Sequence, residues 1–330
     1  IMSSDWSSDV CSSDLRSVVV FLLENPNVSV ANSMDTRVPM HLRAPSTSPG
    51  PERMYPEDLA FYEYFDSIGV SITGYPWAGD VYHDYRTRSR PDADPMSGSP
   101  LFGHGPDFGY WYYGAIWYGD ELWNGGDFGD INGDGEEDRL DALLWDDQEN
   151  QGRAFKEWEA FQHPTLGEVE VGGFHHKFFS QNAPPAALES WARNQALFNL
   201  VMAQHLPLLE MEDVEVERTE ASGDEATYEI EVTFRNSGGL PTALHQARLV
   251  KVVREDRVEL ELEEEAREGD EPRARVVGSD DEDVGWTEAG AANSANFQVE
   301  VTGPEPVEAT VRVLSTRGGV LTHTFTIGGS

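Results

Sequence analysis

The chain has 330 residues, with 60 acidic and 23 basic side chains and a formal net charge of −37. A charge of this sign repels phosphate groups, which argues against nucleic acid and anionic membranes as partners. No apolar run approaches the roughly 20 residues that a membrane-spanning helix needs, so we expect no membrane span. Only three basic residues are lysines. That bias is typical of a protein kept soluble in high salt, although a GC-rich genome also favours arginine.

The first fifteen residues are set aside as non-native sequence. Residues 5–15 read DWSSDVCSSDL, which resembles the translation of a common sequencing adapter, and such segments do not belong to fold reasoning. They contain Cys11, the single cysteine of the chain, so we exclude disulfide and thiol chemistry for the remainder. We also expect the natural N-terminus to be missing, which leaves a signal peptide untested.

Turn and helix patterns organise residues 18–100. Residues 18–23 predict a buried apolar segment. Residues 56–69 predict a helix, because Pro56 suits a first helical turn, acids follow it, and Gly69 is a typical stop. Residues 70–75 predict a strand, and residues 76–100 a long surface loop.

Residues 103–123 combine glycines and aromatic side chains and include the acid Glu121. This composition predicts a buried strand that leads into a site, since glycine lets other backbone approach closely. A buried acid there is either a functional carboxylate or a hydrogen-bonded core residue. Composition alone favours the second interpretation.

Residues 130–141 match an EF-hand-type calcium loop closed by aspartate, as in dockerin-like loops. Gly135 occupies position 6, where such a loop turns sharply. The remaining ligand positions, 1, 3, 5, 7, 9 and 12, are Asp130, Asn132, Asp134, Glu136 through its carbonyl, Asp138 and Asp141. The alternative is an acidic solvated turn. A calcium ion here would stiffen an insertion near residues 127–150 rather than take part in chemistry.

Residues 168–171 alternate as in a strand, and residues 184–207 predict an amphipathic helix bracketed by prolines. Five apolar side chains of that helix are expected to share its core face: Leu188, Trp191, Phe198, Val201 and Met202.

Strand-like runs with turns between them dominate the chain after residue 208. Six or seven short strands over this length predict an antiparallel β-sandwich. The runs are residues 228–234, 247–253, 258–262, 296–301, 309–314 and 322–327. The acidic runs 259–265 and 279–283 are assigned to solvated faces and loops.

Three motifs in residues 16–207 together resemble the zinc metallocarboxypeptidases, the carboxypeptidase A-like family. In that family a strand ends in a zinc-binding His followed by Thr or Ser and, further on, Leu-Arg-Pro. Asp35-Thr36 followed by Leu42-Arg43 stands in that register. The block from His163 to Gly173 matches a segment that precedes the closing helix in bacterial members.

The third motif contains the family's catalytic glutamate. The family shows Gly-x-x-x-Asp-Trp-x-Tyr, a Gly-Ile step and a strand ending in Glu-Leu, and Glu121 lies fourteen positions after Asp107 in the same order. The resemblance implies that Glu121 is the general base that activates a zinc-bound water. Glu170 is the rival acid, but its neighbours match the family's later segment, so we interpret it as structural.

The chain departs from the family at the metal. Asp35 stands where the family has a zinc-binding His, and no His-x-x-Glu motif, which supplies two further ligands in the family, occurs in the sequence. We expect that motif to lie upstream of residue 16. His104 is expected to be a loop residue and not a ligand. The family's phenol-bearing substrate residue has only Tyr82 and Tyr85 as candidates, by neighbourhood.

The expected fold class is α/β: a truncated mixed-sheet metallocarboxypeptidase-like domain over residues 16–207, followed by an all-β immunoglobulin-like sandwich over residues 208–330. Two functions stay open. The first is a secreted or periplasmic zinc carboxypeptidase acting on peptide or protein substrates, inactive as this fragment. The second is a catalytically silent, peptidase-like binding protein stabilised by calcium. The sequence does not indicate an oligomeric state.

Overall fold

The computed structural model describes residues 12–36, 38–88, 90, 92–123, 128–175, 177, 179, 181–263 and 272–329. The chain forms two compact units. Of the described residues, one unit comprises those within 12–30, 108–116 and 202–329, and the other comprises those within 31–107 and 117–201. Both units mix helix and strand, and most strand pairs are antiparallel. Among the described helices, none is long and apolar enough to cross a membrane.

Helices alternate with short strands up to residue 204. In chain order the elements are α1 (Ser12–Glu24), β1 (Val30–Asp35), β2 (Met40–Arg43), α2 (Gly50–Arg53), α3 (Pro56–Thr73), β3 (Trp77–Asp80), α4 (Asp84–Thr87), α5 (Gly105–Phe108), β4 (Ile116–Glu121), α6 (Arg139–Glu149), β5 (Phe155–His163), β6 (Gly167–Phe174) and α7 (Pro185–Gln204). A 3₁₀ turn covers Pro95–Ser97, and a single π turn covers Gly109–Tyr113.

A four-stranded mixed sheet in the order β1-β4-β2-β3 forms the centre of the second unit. Strand β2 pairs parallel to β3 and antiparallel to β4. Tyr118 of β4 joins this sheet to two helices. Its hydroxyl donates to the backbone oxygen of Tyr62 in α3 at 2.9 Å, and its ring packs edge-on against Phe198 of α7 at 5.5 Å. Both helices therefore contact the sheet through the same side chain.

Helix α3 continues past its predicted end. Gly69 does not stop the helix; it lies beside His41, whose ring atoms would be 2.9 Å from a Cβ at this position. The helix ends at Gly74, which has the left-handed φ of 73° that a C-terminal cap needs. The predicted strand at residues 70–75 is therefore wrong, because close packing and not chain termination explains the glycine at position 69.

Three other local predictions need correction. Residues 18–23 are not buried as a group, since Phe21 is 57% exposed while Leu22 is buried. Residues 76–100 contain β3 and α4 and are not one loop. Within residues 103–123, only Ile116–Glu121 is strand, because α5 and the π turn precede it.

Antiparallel strands make up most of the chain after residue 208. They are β7 (Leu209–Ser222), β8 (Glu225–Asn236), β9 (Asp256–Glu263), β10 (Ala274–Val276), β11 (Asp281–Gly285), β12 (Ala292–Thr302), β13 (Val307–Ser315) and β14 (Gly319–Ile327). One sheet has the order β10-β12-β8-β7 and the other β11-β9-β13-β14. Their apolar side chains share one core that includes Phe234, Val299 and Val311. This arrangement is consistent with a β-sandwich.

The strand predictions for this part of the chain hold for β8, β9, β12, β13 and β14. Residues 247–253 are not a strand: Ala247–Leu249 forms a 3₁₀ turn. Strands β7, β10 and β11 were not expected, and β11 includes part of the run assigned to a loop. Helix α7 is confirmed, with Phe198 and Met202 buried, but Leu188 is 54% exposed and lies outside the core.

Candidate functional site

Glu121 is the last residue of β4, the strand between β1 and β2. Only 1% of the residue is exposed, and it pairs across the ladder with Met40. One carboxylate oxygen, Oε2, accepts the backbone N–H of Val38 at 2.7 Å. The strand predicted to end in a buried acid is present, and the acid lies at the C-terminal end of an inner strand.

Asp35 ends the neighbouring strand, β1. The N–H of Leu122 donates to the backbone oxygen of Asp35 at 2.8 Å, so the two strand ends meet directly after Glu121. The side chain of Asp35 is half-buried, and its Oδ1 accepts the N–H of Thr36 at 2.8 Å. The structure thus brings together the two residues that the resemblance associates with catalysis and metal binding.

A buried polar network surrounds Asp120, the residue before Glu121. Asp120 Oδ1 lies 2.9 Å from His41 Nδ1, and Oδ2 accepts the side-chain amides of Asn32, at 2.6 Å, and Gln195. The other ring nitrogen of His41 lies 2.9 Å from Thr73 Oγ1. These contacts link β1, β2, β4 and α7 through the Asp120 carboxylate, and they link α3 through His41.

The Thr73–His41–Asp120 order resembles a hydrolase triad, but its environment is that of a core. His41 and Asp120 are completely buried. The ring of His41 stacks on Tyr75 at 4.8 Å and contacts Phe198 at 4.5 Å. Thr73, which would be the nucleophile, is half-buried, but its hydroxyl donates to the backbone oxygen of Gly69 at 2.8 Å. We therefore assign this network to positioning the strands.

Arg43 makes a second buried interaction on the central sheet. Its Nε donates to Asp66 Oδ2 at 2.8 Å, and the hydroxyl oxygen of Tyr118 lies 2.7 Å from Asp66 Oδ1. Burial raises the pKa of Asp66, while the charge of Arg43 acts in the opposite direction. The arginine of the Leu42-Arg43 motif is therefore paired inside the unit.

Tyr82 and Tyr85 occupy packing positions. Tyr82 is buried, with its hydroxyl 3.5 Å from the backbone oxygen of Met96. Tyr85 packs against a small cluster that contains Met40 and Leu42, and the guanidinium of Arg88 lies 4.6 Å from the centre of its ring. Packing contacts therefore explain the positions of both side chains. Their assignment as substrate-binding residues stays a prediction.

His104 lies in the loop before α5, as expected. Its imidazole covers Gly119 of β4, where a Cβ would lie 3.0 Å from Nε2. Burial lowers the pKa of His104 to about 4, so the ring is neutral at physiological pH. The glycine in the strand is explained by this close approach of a ring.

The loop at residues 130–141 has the backbone fold of a tight acidic turn. Asp130 accepts the N–H groups of Gly133, Asp134 and Gly135, at 2.7, 3.1 and 2.8 Å. Asp141 is buried and accepts from the N–H groups of residues 131, 132 and 138. Gly135 has a φ of 89°, which explains the glycine at position 6.

The remaining ligand positions of this loop bond to one another or to the backbone. Asn132 donates to Asp134 Oδ2 at 2.9 Å, and Asp134 Oδ1 accepts the N–H of Glu136 at 2.9 Å. Asp138 caps α6 by accepting the N–H of Leu140. Oxygen donors of this kind suit Ca²⁺. Within the described ranges, however, no three His, Cys, Asp or Glu side chains stand close enough together to hold a metal ion.

One comparison with known proteins matches the β-rich part of the chain. A family model described as a domain of unknown function, DUF8731, matches residues 208–326. No curated protein matches the chain.

Solved structures show only weak similarity. An exo-chitosanase from Amycolatopsis orientalis is 12% identical over 36% of this chain and 13% of its own, with a TM-score of 0.24. The GAE domain of GGA2p from Saccharomyces cerevisiae is 14% identical over 38% of this chain and 99% of its own, with a TM-score of 0.21. The archaellum periplasmic stator protein FlaG from Sulfolobus acidocaldarius is 13% identical over 36% of this chain and 100% of its own, with a TM-score of 0.16. At these scores the similarities carry no argument about function.

The Asp120 network yields a stability prediction. Asp120→Ala leaves His41 and Gln195 buried without their acceptor, so we expect the free energy of unfolding to fall by about 3 kcal/mol or more. Asp147→Ala removes an exposed aspartate of α6 and should change the free energy of unfolding by no more than about 0.5 kcal/mol. Urea denaturation measures both. Equal stability of the two variants would contradict the role given to Asp120.

Proposed function

We propose that residues 16–207 belong to a metallocarboxypeptidase-type catalytic domain in which Glu121 is the general base, followed by an immunoglobulin-like β-sandwich. The observation that carries this proposal is the meeting of two strand ends. Glu121 closes β4, Asp35 closes β1, and a hydrogen bond of 2.8 Å from Leu122 to Asp35 joins them.

The proposed role of Glu121 follows from its chemistry and its position. A carboxylate within hydrogen-bond reach of an attacking water can take the proton of that water and later return it to the leaving amine. Glu121 is held at the end of an inner strand by its ladder position and by the N–H of Val38. A base fixed in this way needs little reorganisation before a proton transfer. The substrate class would be peptides or proteins.

Zinc is the metal that the resemblance implies, and in the family it activates the attacking water. A catalytic zinc site needs three protein ligands. Asp35 offers an oxygen ligand, but the described residues bring no group of three His, Cys, Asp or Glu side chains together. The described residues alone therefore do not fit a zinc ion, so the proposal assigns no step through one and leaves the missing ligands to the upstream motif that the resemblance implies.

The second candidate function is a peptidase-like binding protein without catalysis. The specific observation in its favour is Asp35, because an aspartate occupies the strand end where the family has histidine. Under this proposal the buried Glu121 is retained for packing. Replacing Asp35 by histidine separates the two candidates, since recovery of zinc binding would indicate a metal site lost by substitution.

One prediction of the proposed function concerns hydrolysis. We expect the gene product extended upstream of residue 16 to release C-terminal residues from peptides and to bind about one zinc per chain. Glu121→Gln should lower kcat by at least about 100-fold, because proton transfer is lost, while zinc content and melting temperature stay unchanged. The assay is amino-acid release, with metal analysis of the same samples.

Glu170→Gln is the matched control for that experiment. Glu170 is an exposed glutamate of β6 and was the rival acid. Its substitution should leave kcat unchanged. Retained activity in Glu121→Gln, or equal losses in both variants, would refute the assignment of the base.

Another prediction concerns calcium binding by the loop at residues 130–141. If residues 130–141 bind the ion, their acids must turn inward, and binding then stabilises the folded chain by mass action. We expect a calcium chelator to lower the melting temperature, and Asp134→Ala to abolish that sensitivity. Asp147→Ala, on the following helix, should keep it. A melting temperature that does not respond to chelator would mean that the loop is an acidic turn only.

A further inference from the structure

Strands β5 and β6 form a two-stranded sheet of their own within the second unit. Residues that pair across the ladder share one face, as do alternate residues along a strand. Phe161 pairs with Val169 and Glu159 pairs with Val171, so all four point to the same side. The pairs Ala160–Glu170 and Gln162–Glu168 point to the reverse side.

Trp158 extends this side of the hairpin. The register shifts between Lys156 and Glu159, which places a bulge at residues 157–158. The indole of Trp158 lies over Gly173, where a Cβ would be 3.3 Å from Cζ2. Gly173 alternates with Val171 along β6, so the indole covers the same face. We call Trp158, Phe161, Val169 and Val171 the hairpin face.

The hairpin face is open to solvent. Trp158 is 60% exposed, Phe161 48% and Val171 40%. At the turn between the strands, Leu166 is 73% exposed. Contiguous apolar surface of this kind marks a site of interaction in soluble proteins. A two-stranded hairpin is also only marginally stable in water by itself, so a partner that covered this face would stabilise it.

Charge decides which partner suits the hairpin face. Glu159 lies on the face beside Val171, and Glu168 and Glu170 line the reverse side of the same strands. Lys156, which pairs with Gly173 on the side of the hairpin face, is the one lysine or arginine on the two strands, which carry four glutamates. A second copy of this chain would bring another net charge of −37, which opposes association. Opposite charge across an interface favours encounter and specificity.

We propose that the hairpin face is a docking surface for a partner polypeptide segment that is apolar and rich in lysine or arginine. The apolar side chains of the segment cover Trp158, Phe161 and Val171, and its cations lie beside Glu159 on the same face. This surface belongs to the β5-β6 sheet, whereas Glu121 and Asp35 end strands of the four-stranded sheet. The inference therefore does not depend on the proposed peptidase function.

The test uses a short fluorescein-labelled peptide of alternating lysine and leucine, with fluorescence anisotropy as the readout. Two comparison peptides replace lysine by glutamate, or leucine by serine. We expect the lysine–leucine peptide to bind most tightly and to weaken as salt is added, since exposed charges are screened. Phe161→Thr and Val171→Thr should each weaken binding about tenfold through lost apolar burial, while both keep strand propensity.

Val320→Thr is the matched control. Val320 is 64% exposed on β14, in the other unit, so its substitution should leave the affinity unchanged. Glu159→Gln should reduce the salt dependence without altering the melting temperature. Thermal melts of every variant establish that each chain is folded.

Three outcomes would overturn the proposal. One is equal binding of the lysine–leucine peptide to all folded variants. Another is equal binding of the glutamate–leucine peptide. The third is self-association of the wild-type chain, seen by sedimentation and abolished by Phe161→Thr, because the occupant would then be a second copy.

Discussion

The second unit depends on one buried carboxylate with several donors. Asp120 accepts from Asn32 on β1, His41 on β2 and Gln195 on α7, and it has no exposed surface. Taking a carboxylate out of water costs several kcal/mol unless hydrogen bonds replace its hydration. The strands and the helix must therefore meet in one arrangement to satisfy it. A single acid thus couples strand order to helix placement.

This constraint has a consequence for Glu121. Successive side chains of a strand point to opposite faces, so a β4 that is fixed through Asp120 presents Glu121 on the other side of the sheet. The ladder pair with Met40 and the N–H of Val38 then define where the Glu121 carboxylate lies. The candidate base is positioned by a neighbour that takes no part in chemistry. Asp120 therefore fixes the strand, and the acid that we propose as the base is its immediate neighbour.

The sequence predicted features that local pattern controls. Helix α7 and most strands of the β-rich part follow from periodicity, and the strand that ends in Glu121 followed from its glycine and aromatic context. Features set by distant contacts were missed. His41 and Asp120 are 79 positions apart, so no local pattern joins them. Gly69 resembles a helix stop until the ring of His41 is placed beside it. Strand β7 was missed because ten of its fourteen residues are exposed and six are acidic.

The location of zinc tests the central claim most directly. Crystals of the protein extended upstream of residue 16, grown with zinc, would give an anomalous difference map at the zinc absorption edge. We predict a peak at the adjoining ends of β1 and β4, next to the carboxylates of Asp35 and Glu121. A peak remote from both carboxylates, or a fully folded extended protein without any peak, would contradict the assignment of this site.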